Sequence, residues 1–244
     1  MCGKHCVANV AVRLPPPAPS PPTLSPARCP QLSPQPLTQS DFNAATWEVV
    51  NSPSTSVTKW GPIEDWDTSG VTTLKYAFST SRNEAGNYVP RGSCMTPDRY
   101  CNPSAATFNG DISKWITSSV TDMGWTFNGA AKFNGDISKW ITTSVKSLRS
   151  TFNNAAAFNS DISTWITSPV TDMRYTFYGA SSFTGTGLDL WNINKVKNMD
   201  NTFNGANALT SCSKRKIADA WKSNVAFTAT YYTDWAADTC PVRC

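Results

Sequence analysis

"FNGDISKWITSSVTDMGWTFNGAAK" occupies residues 108–132, and residues 133–157 repeat it with few changes as "FNGDISKWITTSVKSLRSTFNNAAA". The same spacing of large apolar residues returns in residues 158–182 and, with one extra residue near "TGTGLDLW", in residues 183–209. A further copy begins at Trp60 and is separated from Phe108 by an insertion. A fixed period of this length is typical of repeat proteins, in which neighbouring copies bury one another's apolar faces.

The spacing within one copy predicts its secondary structure. "FNGDISKW" is short and close to alternating, which favours a strand, whereas Val120, Met123 and Phe127 fall on one helical face. No single copy can bury its apolar residues, so stacking is expected to form one continuous core. The predicted fold class is therefore an α/β repeat solenoid, leucine-rich-repeat-like, with about five 25-residue coils and helical caps at both ends. Each coil is expected to hold a short parallel strand and a short helix.

The repeat, over roughly residues 60–209, resembles that of the BspA-like leucine-rich-repeat surface proteins. "KWGPIEDWDTSGVTTL" and "LTSCSKRKIADAWKSN" are similar to the opening and closing coils of that family. The resemblance implies a surface-displayed or secreted adhesive module and implies no shared catalytic motif. The insertion and the proline-rich arm depart from the family pattern, so no partner of these two parts follows from the resemblance.

The chain divides into an extended arm (1–37), an N-terminal capping helix (38–58), the repeats (59–209, with an inserted loop at 79–107) and a C-terminal cap (210–244). Ser40 is the predicted start of the first capping helix, and Pro53 its predicted end. The predicted apolar faces of the two capping helices consist of Phe42, Ala45 and Val49, and of Ile217, Ala220 and Trp221, with Asn224 ending the second helix.

The arm has ten prolines within residues 15–36, which predicts extended polyproline II and no packed core. Three interpretations stay open: a spacer, a segment similar to the glycosylated hydroxyproline-rich segments of algal matrix proteins, and an arm that lies along a neighbouring subunit. No Asn-x-Ser/Thr acceptor occurs in the chain. The possible O-glycan or hydroxyproline positions are Pro15, Pro16, Pro17, Pro19, Ser20, Pro21, Pro22, Ser25 and Pro26.

Eight cysteines favour an oxidising compartment. Their spacing suggests one local bridge between Cys94 and Cys101 and another between Cys212 and Cys240, although connectivity does not follow from sequence. The remaining cysteines close the arm onto the C-terminal tail or bind another copy; they are Cys2, Cys6, Cys29 and Cys244. The alternative, a metal site around Cys2, His5 and Cys6, lacks a second pair of ligands.

Composition argues against several partners. Charged residues make up 16% of the chain and the net charge is +4, so no basic field for nucleic acid or anionic membrane is expected. No apolar stretch approaches the length of a membrane span, and the N-terminus does not resemble a signal peptide, so an already removed signal or a longer precursor is expected. We expect a secreted protein at the cell surface or in the matrix.

Catalysis has little support, because the one histidine, His5, lies in the arm. Asp111, Asp136 and Asp161 share one column. They are expected to accept N–H groups at turns, with a glycosidase-like pair or a Ca²⁺ ladder as alternatives. The chain is therefore expected to be neither an enzyme nor the holder of a cofactor.

One row of hydroxyls is a candidate ligand face for polysaccharide or ice: Thr117, Thr142 and Thr167. The tryptophan columns are expected to lie in the core. The leading expectation is an extracellular structural or adhesion protein that self-associates through the arm and the ends of the repeats into a fibre or surface layer. The alternative is a carbohydrate- or ice-binding module that uses one face of the repeats.

Overall fold

The computed structural model describes residues 35–90 and 102–240, and its α-helices lie before and after the repeats. Helices α1 (Gln39–Asn51) and α2 (Pro53–Trp60) precede them, and α3 (Ser211–Trp221), α4 (Val225–Phe227) and α5 (Thr233–Ala236) follow. A π-helical turn at Thr228–Tyr232 joins α4 to α5. Single 3-10 turns lie at Ile63–Asp65, Pro103–Thr107 and Leu188–Leu190.

The predicted α/β fold class is wrong. Residues 35–90 and 102–240 contain no β-strand, and the helix predicted in each repeat is absent. Each repeat is a chain of turns, which we call a coil: coils 1 to 5 comprise residues 60–107, 108–132, 133–157, 158–182 and 183–209. Neighbouring coils share one isolated parallel bridge each, at Thr73–Asp122, Asp122–Ser147, Ser147–Asp172 and Asp172–Asn198. The leucine-rich-repeat-like solenoid of strands and helices does not describe this arrangement.

Alternation of the main-chain hydrogen bonds explains why no helix forms. In coil 2 the N–H of Trp125 donates to Arg149 O in coil 3 (2.9 Å), whereas the next N–H, of Thr126, donates three residues back to Met123 O (3.2 Å). Phe127 again donates to coil 3. A helix needs every N–H to bond four residues back within its own segment, so half of the donors are unavailable for a helix.

The segment predicted as a strand is also a turn. The Asp111 carboxylate accepts from the N–H of Ser113 (3.0 Å), and Trp115 N–H donates back to Ile112 O (3.2 Å). The link to the neighbouring coil comes from a side chain, since the indole N–H of Trp140 donates to Ile112 O (3.1 Å). The same indole bond recurs in the other coils and satisfies an N–H that burial removes from water.

Stacked aromatic rings form the core between coils. The tryptophan rings of successive coils lie parallel, with centroids 6.0–6.4 Å apart. Phenylalanines form two further stacks. Between each pair of neighbouring coils, a ring of one stack faces a ring of the other, with centroids 3.7–4.1 Å apart. Offset aromatic pairs contribute about 0.5–1.5 kcal/mol each beyond burial of their area, so the ladder of rings holds the coils in register. The tryptophan columns lie in the core as predicted: Trp66, Trp115, Trp140, Trp165 and Trp191.

The N-terminal cap differs from the prediction in two respects. Thr38, not Ser40, caps α1 by accepting from Asp41 N–H (3.1 Å), and Pro53 begins the second helix α2. Gln39 then satisfies the open edge of coil 1, because its side-chain oxygen accepts from the N–H groups of Thr72 and Thr73 (3.1 Å each). The amide thus supplies the acceptor that another coil would have provided.

The C-terminal cap closes coil 5 in the same way. Thr210 caps α3. The Asn224 amide donates to Ile193 O (2.8 Å) and Val196 O (3.0 Å), and Tyr231 OH accepts from Phe203 N–H (3.2 Å). Of the apolar residues predicted for α3, Ile217 and Trp221 are buried, whereas Ala220 is exposed and Ala218 takes its place in the core.

A buried arginine that the sequence did not indicate joins α1 to coil 1. The Arg82 guanidinium is 1% exposed and donates to Asn43 O (2.7 Å), Ala77 O (2.7 Å) and the Thr46 hydroxyl (2.9 Å). Burial lowers the pKa of Arg82 to about 10. Oxygen atoms of α1 and of coil 1 accept these hydrogen bonds in place of a carboxylate. The guanidinium therefore joins the N-terminal cap to coil 1.

Candidate functional site

One column of the repeats adopts left-handed backbone conformation in every coil. Its members have φ between 54° and 61°, and they are Tyr76, Trp125, Ser150, Tyr175 and Asn201. Large side chains avoid this region, and each costs of order 1–3 kcal/mol to hold there. The column persists because each of the first four members donates its N–H to the next coil. Bulky residues held at strained positions are the basis for a functional hypothesis about this column.

Three of the coils place a large aromatic residue at the strained position, namely Tyr76, Trp125 and Tyr175, and the insertion adds the ring of Tyr88. The Trp125 ring lies 5.3 Å from Tyr76 and 6.5 Å from Tyr88. Two coils further on, Tyr175 lies 5.9 Å from Tyr178. Tyr88 is 49% exposed and the other four rings are half-buried. Burial, and then the nearby Tyr88 and Asp122, raise the pKa of the Tyr76 hydroxyl.

All of these rings except Tyr76 border a groove of about 520 Å³, which we call the aromatic groove. Its polar lining is mainly amide. Asn128 holds the wall by donating to the hydroxyls of Ser79 (3.2 Å) and Ser81 (3.1 Å), and Asn154 donates to the Asn153 oxygen (2.6 Å). The lining residues used below are Tyr88, Trp125, Arg149, Asn153, Tyr175 and Tyr178.

Cations stand beside the rings. The Arg149 guanidinium carbon lies 4.7 Å from the centre of the Trp125 ring, and Lys75 Nζ lies 5.6 Å from the same ring. Lys75 also lies 3.7 Å from Asp122. Cation–π contacts of this kind hold a side chain flat and leave its N–H groups available.

A paired carboxylate lies two coils from Trp125. Burial favours the neutral acid of Asp172, but the hydrogen bonds that Arg174 donates outweigh it and hold the pKa of Asp172 below its usual value. The two groups form an ion pair at 2.6 Å. Asp172 is therefore ionised, and the positive charge of Arg174 compensates its negative charge.

The predicted threonine ligand face is wrong. Thr117, Thr142 and Thr167 are only 2–3% exposed. The Thr142 hydroxyl donates to Ile166 O (3.1 Å) and accepts from Ile166 N–H (2.8 Å), and Thr117 bonds to Ile141 in the same way. The hydroxyls thus join coil to coil and leave no regular row for ice or sugar.

The isoleucine that follows each central tryptophan is exposed instead. Ile116, Ile141 and Ile166 are 46–51% exposed and form the isoleucine row, an apolar stripe at one residue per coil. Coils 1 and 5 end the row with Asp67 and Asn192. The row lies outside the aromatic groove and offers no polar group for orientation of a ligand.

The repeated polar columns serve the backbone. The carboxylates of Asp111, Asp136 and Asp161 each accept from the N–H two residues on (2.9–3.0 Å). The Asn109 side chain accepts from Asn134 N–H of the next coil (2.9 Å), and Asn134 serves Asn159 in the same way. The aspartates thus cap turns as expected, and the asparagines join neighbouring coils.

Only one of the suggested cysteine bridges falls within the described residues. Cys212 and Cys240 form a disulfide that ties α3 to the end of the C-terminal cap. The other candidate cysteines lie outside the described residues: Cys2, Cys6, Cys29, Cys94, Cys101 and Cys244. The same holds for His5 and for every candidate modified position of the arm from Pro15 to Pro26.

A search of residues 35–90 and 102–240 finds no group of three or more histidine, cysteine or acidic residues that could bind a metal ion. Over the same residues, no helix is both long and apolar enough to span a bilayer.

Repeat analysis missed the aromatic groove because it looks for what recurs. The groove residues change from coil to coil: the strained column has tyrosine, tryptophan, serine, tyrosine and asparagine in turn. A signal did exist, since tryptophan and tyrosine stand at column positions where neighbouring copies have small or amide residues. Tyr88 could not be found this way, because it belongs to the insertion.

The family model described as "Mycoplasma protein of unknown function, DUF285" matches residues 49–87 and 100–215, well over half of the chain. The chain belongs to this family. Neither a curated protein nor a solved structure matches it. Membership of the DUF285 family agrees coarsely with the resemblance to BspA-like surface repeats. The matched residues include every groove residue named above except Tyr88.

Proposed function

We propose that this protein is an extracellular adhesion protein, without catalytic activity, that binds carbohydrate in the aromatic groove. The observation that carries the proposal is the set of half-buried rings beside amide groups in a groove of about 520 Å³. The C–H faces of sugars are attracted to the negative faces of aromatic rings, while amides and guanidinium groups bond hydroxyls. Backbone strain at Trp125 and Tyr175 supports a role that outweighs its cost.

The surroundings of the groove support the extracellular part of the proposal. Eight cysteines, of which Cys212 and Cys240 are paired, suit an oxidising compartment. The finer assignment to the BspA-like surface proteins fits an adhesive role at the cell surface. Self-association through residues 1–37 and the ends of the repeats, into a fibre or layer, is a second part of the proposal and rests on the prolines and terminal cysteines of the sequence.

The test compares one substitution inside the groove with one outside it. Trp125→Ser is suited to this purpose, because coil 3 carries Ser150 at the equivalent position with nearly the same φ (55° against 57°). Ile141→Ala removes an exposed apolar side chain of the isoleucine row instead. The full chain and both variants are compared by affinity electrophoresis and calorimetry against neutral and acidic polysaccharides.

We expect the wild-type chain to bind a subset of these polysaccharides and Trp125→Ser to lose about tenfold or more in affinity. Ile141→Ala should stay within about twofold of the wild type. Thermal unfolding of both variants checks that the fold is kept. Carbohydrate binding in the groove is contradicted if the wild-type chain binds none of the polysaccharides. It is also contradicted if the wild type and Trp125→Ser bind with equal affinity.

A further inference from the structure

Arg149 differs from the two other cations of its column. Lys75 of coil 1 lies 3.7 Å from Asp122, and Arg174 of coil 4 is paired with Asp172 at 2.6 Å. Coil 3 carries Ser147 at the position that holds these aspartates in coils 2 and 4. Arg149 therefore has no carboxylate at this position of its own coil, and the Asp172 carboxylate of the next coil is already bound by Arg174.

The guanidinium of Arg149 is also short of hydrogen-bond acceptors. Its Nε atom is buried, and among the described residues it has no hydrogen-bond partner. Over the same part of the chain, Arg149 forms no ion pair. Its guanidinium carbon lies 4.7 Å from the centre of the Trp125 ring, and its charge contributes to lowering the pKa of Asp172. A buried donor without an acceptor is costly, and an acceptor supplied by a ligand is one explanation for it.

The geometry around Arg149 suits an anion. A guanidinium that lies over a ring is pre-organised, and its fork of N–H groups matches the two oxygens of a carboxylate or sulfate. Lys75 and Arg174 neutralise Asp122 and Asp172, which leaves exposed Asp200 of coil 5 as the further carboxylate on this side of the groove. The unpaired charge beside Trp125 is therefore positive.

We infer that the ligand of the aromatic groove is an acidic glycan, whose carboxylate or sulfate pairs with Arg149 while its sugar rings contact Trp125. This inference rests on the proposed function and narrows its ligand class. Sequence composition does not indicate it, because the net charge of the chain is only +4. One unpaired guanidinium beside a ring binds one anionic group, whereas a strongly basic surface attracts anions without such a defined contact.

The experiment uses ligand pairs that differ only in the charge. Oligogalacturonate is compared with its methyl ester, and a sulfated galactan oligosaccharide with its desulfated form, by calorimetry on the full chain. The proteins are the wild type, Arg149→Gln, and Lys132→Gln, which removes the same charge from an exposed position outside the groove. Trp125→Ser is included to report on the groove as a whole.

We expect the wild type to bind at least one acidic oligosaccharide about tenfold or more tightly than its neutral counterpart. Arg149→Gln should abolish this ratio, so that the charged and the neutral oligosaccharide bind the variant with equal affinity. Lys132→Gln should keep the ratio. If only the galacturonate pair shows this ratio of affinities, the ligand group is a carboxylate. If only the galactan pair shows it, the ligand group is a sulfate. Both results support the inference.

Two other outcomes separate this inference from the proposed function. Equal affinity of the wild type for charged and neutral forms, with Trp125→Ser defective for both, overturns the acidic ligand and leaves carbohydrate binding in place. A ratio that survives Arg149→Gln also overturns the role of Arg149. Absence of wild-type binding to all four oligosaccharides and to the polysaccharide panel overturns the proposed function and this inference together.

Discussion

At the scale of single residues, the repeat separates side chains that join coils from those that are free to vary. Thr142 illustrates the first kind, because its one hydroxyl serves both the N–H and the C=O of Ile166 in the next coil. Trp125 illustrates the second, since its main-chain N–H makes the contact between coils and its side chain is left for another purpose. The main-chain contact repeats from coil to coil and does not depend on the side chain, so the side chain at this column differs between coils.

Replacement of Thr142 by valine should destabilise the fold without affecting ligand binding. Valine has nearly the same shape, but it leaves the N–H and C=O of Ile166 without their partner, which costs about 1–3 kcal/mol in free energy of unfolding. The exposed neighbour Thr143 provides the control, because Thr143→Val should change stability by no more than about 0.5 kcal/mol. Denaturant unfolding measures both. Equal effects at the two positions, or loss of glycan affinity in a stable Thr142→Val, would show that the hydroxyl has another role.

At the scale of elements, the period and the core columns could be predicted from the sequence, and the local backbone could not. Val120, Met123 and Phe127 are buried as their spacing requires. Successive turns with bonds three residues back bury the same positions as a helix, and apolar periodicity cannot separate the two. The left-handed φ of Trp125, which breaks both helix and strand, has no signature in a bulky aromatic residue.

The candidate site shows the same limit in another form. Recurrence of threonine at one position of the repeat predicts a ligand face. A hydroxyl that bonds the next coil must also recur in each coil, so the recurrence reflects a structural role and not binding. The aromatic groove depends on differences between copies and on Tyr88 of the insertion. Arg149 becomes distinctive only when Ser147 is seen beside the paired cations of coils 1 and 4.

The aspartate turns predict loss of stability in acid. Hydrogen bonds from Ser113, Ser138 and Ser163 lower the pKa of Asp111, Asp136 and Asp161. Because the folded carboxylates bind protons less readily than unfolded ones, their contribution is complete above about pH 5 and is lost as pH falls below about 4. Asp136→Asn keeps an acceptor for Ser138 but does not titrate. We expect a shallower decline of the unfolding midpoint between about pH 5 and 2.

The stepwise control for this prediction is the triple variant, with asparagine at all three positions. It should flatten the acid dependence further than Asp136→Asn alone, and the remaining slope should come from other paired carboxylates such as Asp172. Thermal unfolding across the pH series measures the effect. An acid dependence identical in the wild type and the triple variant would show that these turns do not couple to stability.

At the scale of the whole molecule, the two caps let a stack of turns exist without open edges. Gln39 supplies acceptors to coil 1, while Asn224 and Tyr231 supply partners to coil 5. A stack whose ends are satisfied by side chains does not need another copy of itself. In the proposed fibre or layer, the ends of neighbouring molecules would therefore meet through their caps, and the arm is the other segment proposed to join copies.

Removal of residues 1–34 therefore tests the arm without disturbing the caps. Leu37 N–H donates to Asp67 O (2.9 Å) and Thr38 caps α1, so these contacts of the N-terminal cap lie after the deletion. We expect unchanged thermal unfolding and an affinity for a monovalent oligosaccharide within about twofold of the full chain.

The same deletion separates binding from assembly. If the arm joins copies, filaments seen by electron microscopy should disappear with it, and apparent affinity for an immobilised polysaccharide should fall about a hundredfold because multivalency is lost. Filaments that persist in the shortened chain would show that the folded part assembles. The isoleucine row would then be the first surface to test, with the substitution Ile141→Glu. Single particles in both samples would remove self-association from the proposal, and loss of monovalent binding would show that the arm contributes to the aromatic groove.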